Sequence, residues 1–306
     1  MISRISFLII SSLIFSCTVK NAPEYLGGKP LTVVTTTGML YDAVKIIGHD
    51  RVEVNALMGP GVDPHLYKAT QGDLAKLKNA DLVVYNGLML EGKMGEVLEK
   101  LGNSKPVVAA AESIPTTLLL ASVQYKNAYD PHVWFDVSLW KFVVKEITQK
   151  LMLIDTANAP FYEQNQLVYL SQLDSLHEHV KVSIQSIPEK QRVLITAHDA
   201  FSYFGRAYGI EVAGLQGIST VSEFGLRDIA ELIDLIMDRN IKSIFMETSV
   251  SDKAIKAVIA GCAQKGQSLK IGGSLYSDAM GAPGTLEGTY IGMVNANVKT
   301  ITESLK

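Results

Sequence analysis

The sequence predicts an α/β protein of two lobes, each with a mostly parallel sheet flanked by helices, joined by one long rigid connector helix. Three observations carry this reading. β-Branched runs alternate with stretches of helical spacing over the first third of the chain, the pattern of a parallel sheet covered on both faces. The alternation halts over residues 158–188, where Leu167, Leu170, Leu173, Leu176 and Val180 recur at steps of three and four. It resumes after Pro188 and runs to the C-terminus. A chain of 306 residues that is 47% hydrophobic also exceeds what a single core usually serves, so two domains are expected.

The first strand is LTVVTTT, residues 31–37, followed by the helix GMLYDAVKIIG with apolar spacing at Met39, Leu40, Ala43, Val44 and Ile47. VEVNALM is a second strand, and QGDLAKLKNA a helix beginning near Thr70. DLVVYNG, the helix KMGEVLEKLG with its glycine stop, and the short strand PVVAA complete the first alternation. VSLWKFVVKEITQKLMLID is helical. The connector then starts at Asn158, a candidate cap, and stops at Pro188. It is about 28 residues and on the order of 40 Å long at 1.5 Å per residue. The second lobe reads RVLITA, AFSYFGRAYG, IEVAGLQ, GLRDIAELIDLIMDRN, IKSIFMET, SDKAIKAVIAGCAQKG, SLKIG and GTYIGMVNANVKTITESLK, strands and helices in alternation. The expected divisions are 31–157 for the first lobe, 158–188 for the connector and 189–306 for the second lobe.

Residues 1–17, MISRISFLIISSLIFSC, hold one Arg, an apolar run and a small residue before Cys17, the makings of an export signal. The run from Ile5 to Phe15 falls short of the roughly 20 residues that span a bilayer. The ending LIFSC resembles a bacterial lipobox, which makes Cys17 the candidate for lipidation and the mature N-terminus. Residues 18–30 read as a flexible tether. The only other cysteine is Cys262. With Cys17 acylated, no internal disulfide is available, and Cys262, on a helical apolar pattern, reads as a small packing residue. A net charge of −3 without a basic stripe argues against nucleic acid as a partner.

Asp-Pro-His occurs twice, in VDPHLY and in YDPHVWFD, in a chain with six histidines. Proline fixes its own φ and pushes the residue before it into extended geometry, so His65 and His132 each follow a constrained corner. His198, in LITAHDAFSYF, stands between a strand and a helix, and Asp278 lies in the Gly-rich loop after SLKIG. Loops at strand ends form the rim where ligands bind in open α/β sheets. Each lobe contributes two donors, and three imidazoles with one carboxylate suit a first-row divalent metal. Each residue alone has a plainer explanation as a cap or turn residue, and the combination of four lifts the metal reading above them. Glu247, ending IKSIFME, either accepts a bond from His198 or caps the next helix. Asp63 and Asp130 read most simply as turn residues, a bond to the neighbouring His ring being the less favoured alternative for each. His49, His177 and His179 read as solvated, while Tyr41, Tyr67, Trp134 and Phe135 line the cleft or the core.

The motifs VDPHLY, DPHVWFD, TAHDAFSYFGRAYG and LYSDAMG…GTY, in that order, resemble the manganese/zinc group of solute-binding proteins of bacterial ABC transporters. The resemblance runs from about residue 31 to the C-terminus. It implies two α/β lobes joined by one rigid helix, with the metal between them on His65, His132, His198 and Asp278. The chain lacks the His-rich acidic loop of many zinc-dedicated members, and His198 stands where several manganese-dedicated members have Glu. It is similar to the members with three His and one Asp, for which the cargo is Zn2+ or Mn2+.

The expected function is therefore a periplasmic or surface-tethered receptor, not an enzyme, that captures zinc or manganese and delivers it to an inner-membrane ABC permease with its ATPase. A single copy, held to the membrane by its N-terminal lipid, is expected. The competing readings are a zinc-dependent hydrolase, with Glu247 or Asp199 as base, and a metal-stabilised surface adhesin. Four protein donors close a site to water, and spacings such as H-E-x-x-H are missing.

Overall fold

The protein is described from a computed structural model that covers residues 28–122, 125–221 and 225–306. The expected export signal, Cys17 and most of the tether lie outside these residues. The first lobe contains β1 (Leu31–Thr35), α1 (Gly38–Gly48), β2 (Val52–Ala56), α2 (Gln71–Asn79), β3 (Leu82–Tyr85), α3 (Lys93–Leu101) and β4 (Val107–Ala109). Its four strands pair in parallel in the order β2-β1-β3-β4. α2 begins one residue after Thr70, whose hydroxyl accepts from the Asp73 N–H while the Asp73 carboxylate reaches back to the Thr70 N–H, the reciprocal capping box that fixes a helix start. The strands end earlier than the β-branched runs suggest. Beyond Thr35 and Ala56 the two chains stay joined by bonds from Leu57 N–H to Thr35 and from Met58 N–H to Thr36 as they turn toward the cleft.

α4 (Val137–Ile154) leads into the connector α5 (Ala159–Gln185), which has 27 residues and is about 40 Å long. It is shorter than the expected 158–188 at both ends. The Asn158 side-chain amide donates to Asp155 (2.7 Å) and its oxygen accepts no helix N–H, and Pro160 occupies the first turn, where a missing N–H costs nothing. The buried stripe is Phe161, Tyr162, Tyr169, Leu173, Leu176, Val180 and Ile184, with the expected Leu167 out in solvent. His177 is not solvated as the sequence suggests. Its Nδ1 lies 3.2 Å from the Tyr208 hydroxyl, on a face that the alternation with Glu178 does not reveal. His179 and His49 are exposed as expected.

The second lobe holds β5 (Val193–His198), α6 (Ser202–Tyr208), β6 (Glu211–Gln216), α7 (Leu226–Asp238), β7 (Ser243–Glu247), α8 (Lys253–Gln264), β8 (Lys270–Leu275) and α9 (Tyr290–Leu305). Its strands form two parallel pairs, β5–β6 and β7–β8, with β5 lying against β7. β8 runs past the expected stop at SLKIG. Its glycines are places of close approach rather than a turn: a Cβ on Gly272 would stand 2.8 Å from the Phe245 ring, and one on Gly273 2.5 Å from Thr300 of α9.

One continuous apolar core passes through both lobes. It joins α1, α4, α5 and α9 to Phe201, Tyr203, Phe204 and Tyr208 of the second lobe. Trp140 and Tyr290 stack at its centre, ring centroids 5.1 Å apart. Polar bonds register the lobes: Trp134 Nε1–H donates to the Ser277 carbonyl (3.0 Å), the Tyr290 hydroxyl to the Trp134 carbonyl (2.7 Å), and the Tyr203 hydroxyl to the Asp130 carbonyl (2.9 Å). A second core fills the outer layer of the second lobe and includes buried Cys262, the packing role expected of it. Because Leu173 is fully buried in the shared core, Leu173→Ala is expected to destabilise the protein by about 2–5 kcal/mol. Denaturant unfolding should show both lobes losing stability together in one transition; a separate shift of only one lobe would contradict a shared core.

Candidate metal centre

The C-terminal ends of the strands meet across the cleft. His65 follows β2 through the turn 59–65, where Asp63 Oδ1 accepts its backbone N–H at 2.8 Å. The other Asp63 oxygen reaches the opposite lobe and accepts from the Thr220 hydroxyl at 2.5 Å. His132 repeats the corner, with Asp130 Oδ1 accepting its N–H at 2.9 Å. Here the same oxygen also lies 2.7 Å from His132 Nδ1, so Asp130 shapes the turn and orients the ring, filling both the favoured and the less favoured of the roles open to it.

His198 is the last residue of β5, inside the strand rather than just past it. Glu247 ends β7 and spans the gap between the two strands: one oxygen accepts the His198 N–H (2.8 Å) and the other faces His198 Nδ1 at 2.5 Å. Of the two roles open to Glu247, the carboxylate partner of His198 is the one observed; α8 is preceded instead by Asp252. Asp278 lies just past β8, its backbone N–H directed at Ser249 Oγ (3.4 Å).

The structure brings His65, His132, His198 and Asp278 together, all four buried, with one ligand atom from each within 4.8 Å of the others. His65 Nε2 and His132 Nε2 are 3.4 Å apart. Asp278 Oδ1 is 3.5 Å from His132 Nε2, and Oδ2 is 3.8 Å from His65 Nε2 and 3.3 Å from His198 Nε2. Tetrahedral bonds of about 2.0–2.1 Å place neighbouring donors about 3.3 Å apart, so the residues already fit an ion of that size. Among the described residues, His198 Nε2 and both Asp278 oxygens are buried without a hydrogen-bond partner, which is costly unless something else satisfies them. Carboxylates on the Nδ1 side of His132 and His198 fix the tautomer that turns Nε2 toward the centre.

The remaining candidates serve the surroundings. Trp134 packs its ring against His132 (5.3 Å) and Phe135 stacks on Phe201 (4.2 Å). Tyr67 bonds to Asp73 at the start of α2 (2.7 Å). Tyr41 lines a cavity of about 480 Å³ that reaches Asp278 from the side. Asp199 accepts from the Ser202 hydroxyl (2.7 Å).

Burial pushes the His65 imidazolium down to about 3, with the Asp278 charge opposing the shift only in part. Burial would lower His198 too, but the Glu247 and Asp278 carboxylates outweigh it and hold its value well above 6.5. Asp278 would be raised by burial, yet the imidazoles of His198, His132 and His65 hold it below the usual carboxylate range. The signs differ for the metal-free protein. Neutral His65 contributes stability above about 6.5 that is lost as pH falls toward 3, whereas protonated His198 contributes stability below about 6.5 that is lost as pH rises through its raised value. A metal at the centre must displace the His198 proton. Calorimetric titration at pH 7 in buffers of different ionisation enthalpy should report about one proton released per metal bound; heats independent of buffer would contradict a protonated His198. Glu247→Gln should weaken metal binding about 10–100-fold in the same titration.

Residues 33–304 match the family described as ZnuA, zinc-uptake complex component A, periplasmic. The chain is 51% identical over 276 residues to the manganese-binding lipoprotein MntA of Bacillus subtilis, covering 90% of each chain. It is 50% identical over 278 residues to the zinc-binding protein TroA of Treponema pallidum, covering 91% of this chain and 89% of that one. The structure of the Treponema pallidum periplasmic zinc-binding protein TroA superposes with a TM-score of 0.88 at 49% identity, over 90% of this chain and 99% of the other. That of Fe(III)-bound YtgA from Chlamydia trachomatis gives 0.81 at 28% identity, over 90% and 98%. Alternating strands and helices around one long connector, four donors converging at strand ends, and a match over nearly the whole length lead to one conclusion: the chain belongs to the ZnuA family of zinc-uptake periplasmic components.

Proposed function

We propose that this protein is the metal-capturing receptor of an ABC importer, holding zinc or manganese between its lobes on His65, His132, His198 and Asp278 and passing it to a permease driven by its ATPase. The observation that carries the proposal is the convergence of four buried donors, three of whose atoms have no hydrogen-bond partner among the described residues. Glu247 and Asp130 act behind the donors, orienting His198 and His132. Relatives at about half identity are named for manganese and for zinc, which fits a donor set that accepts either. Three nitrogen donors favour zinc in raw affinity.

The division 31–157, 158–188 and 189–306 describes the two lobes and their connector, and export with lipidation at Cys17 holds a single copy at the membrane. Relatives are named as lipoproteins. A hydrolase is disfavoured because four protein donors leave no position for water. Both candidate bases are also engaged, Glu247 with His198 and Asp199 with Ser202. The shared core and stiff α5 favour metal release by local movement around Asp278 over a wide closure of the lobes.

Zinc is expected to bind one per chain and more tightly than manganese in competitive titration. Affinity should decline as pH falls further below the raised value of His198, because the metal must displace that proton while His65 is already neutral; titrations at stepped pH check it. His65→Ala and His198→Ala should each weaken binding by about 100-fold or more, since each removes one of four ligands. Wild-type affinity in both variants would show that the metal sits elsewhere, and a chain purified without stoichiometric metal would favour the adhesin.

A further inference from the structure

The loop between β3 and α3, residues 86–92, lies outside the donor set, yet it touches both Asp-Pro-His corners. Gly87, Leu88 and Met89 follow one another with φ of 82°, 52° and 67°, and Gly92 has φ 49°. Leu88 and Met89 are in the left-handed region without the freedom of glycine, a conformation that persists only where the surroundings over-determine it. What holds it is the side chain of Glu91, 1% exposed. Its Oε1 accepts from the Thr36 hydroxyl (2.8 Å) and the Asn86 N–H (2.6 Å), and its Oε2 from the Gly87 N–H (3.2 Å). Burial raises the Glu91 value, and the bonds from Asn86, Thr36 and Gly87 offset that in part.

Each of these contacts leads to a ligand. Asn86 Nδ2 donates to the carbonyl of Pro131, the residue before His132 (3.1 Å). Thr36 accepts through its carbonyl from the Met58 N–H (3.0 Å), at the root of the turn that ends at His65. Gly92 packs so closely beneath that turn that a Cβ there would stand 2.9 Å from the His65 carbonyl oxygen. A single buried carboxylate thus braces both corners from behind, beyond the Asp63 and Asp130 bonds that close each turn, and the facing ring nitrogens of His65 and His132 stand 3.4 Å apart.

We infer that Glu91 is a positioning residue for the metal site: by clasping the strained 86–92 loop it sets the separation of His65 and His132, and through that separation the preference for zinc over manganese. The inference rests on the metal-receptor reading above. Zinc takes short, near-tetrahedral bonds, which a close pair of imidazoles favours, whereas manganese suits oxygen donors and octahedral geometry.

The test titrates wild-type protein and Glu91→Gln with zinc and manganese in competition, and records the visible spectrum of each with cobalt bound. Glutamine keeps an oxygen for Thr36 and Asn86 but turns an amide N–H toward the Gly87 N–H, so the loop relaxes without leaving a void. Zinc affinity is expected to fall about 10–100-fold, manganese affinity by less, and the cobalt ligand-field bands to shift. A variant that loses thermal stability but keeps the wild-type zinc-to-manganese ratio and cobalt spectrum would overturn the inference. Should Glu91→Gln not fold, Gly92→Ala, which presses on the His65 carbonyl from the same loop, decides it by the same two readouts. Wild-type protein that binds no metal would overturn the receptor reading, and the inference with it; a metal-binding wild type beside an unchanged variant overturns the inference alone.

Discussion

Everything in this molecule answers to one electrostatic problem: keeping nitrogen and oxygen lone pairs within a few ångströms of one another, out of water, before a cation arrives. Asp278 stands 3.3–3.8 Å from each of three buried imidazoles, and the ligand atoms of all four lie within 4.8 Å of one another. Left to itself such a cluster would spread apart or draw in water, because unpartnered buried polar atoms are costly. The framework around it supplies the resistance. Two carboxylates hold the backs of His132 and His198, and rigid proline corners hold the backbones of His65 and His132. The apolar core running through both lobes stops the cleft from opening by a simple hinge.

The two halves of the site are supported differently. In the first lobe the ligands stand on turns, each closed by an Asp side chain on the His N–H, and both turns lean on the loop at residues 86–92. In the second lobe His198 belongs to a strand, and its partner Glu247 ends a neighbouring strand that is not in its ladder. Glu247 therefore closes a seam between two strand pairs while it orients a ligand. Asp278 has the lightest support, one backbone bond to Ser249 and the indole of Trp134 on the preceding carbonyl, which is why movement there disturbs least.

Much of this was legible in the sequence, and what was not had a common cause. Local signals worked: α1 occupies Gly38–Gly48 as its apolar spacing implies, and α2 starts where Thr70 and Asp73 form their box. The four residues that the sequence singles out do come together; the Asp-Pro-His corners mark His65 and His132, and a place between strand and helix marks His198 and Asp278. Glu247 remained undecided because its bond to His198 crosses 49 residues, and no spacing rule reports such a pair. Glu91 carries no signal in the sequence, and the ring contact of Asp130 ranks below its turn role there, because carboxylates near turns are common and only their three-dimensional neighbours distinguish them. Gly272 and Gly273 read as the start of a Gly-rich loop, because a sequence does not show that a helix must pass within van der Waals reach of the strand. His177 was misread because alternating charge hid a tyrosine from another helix.

The position of α9 has a consequence for how the chain comes into being. Tyr290 donates its N–H to Asp42, 248 residues earlier, and stacks on Trp140 in the core that the first lobe also uses. A polypeptide emerging from its N-terminus can form local helices early, but the interior of its first lobe stays unfinished until the last helix has been made. Contacts of such long range slow folding. For a chain proposed to leave the cytoplasm, that delay keeps the nascent molecule threadable: the residue that locks the first lobe crosses 248 residues after the one it bonds.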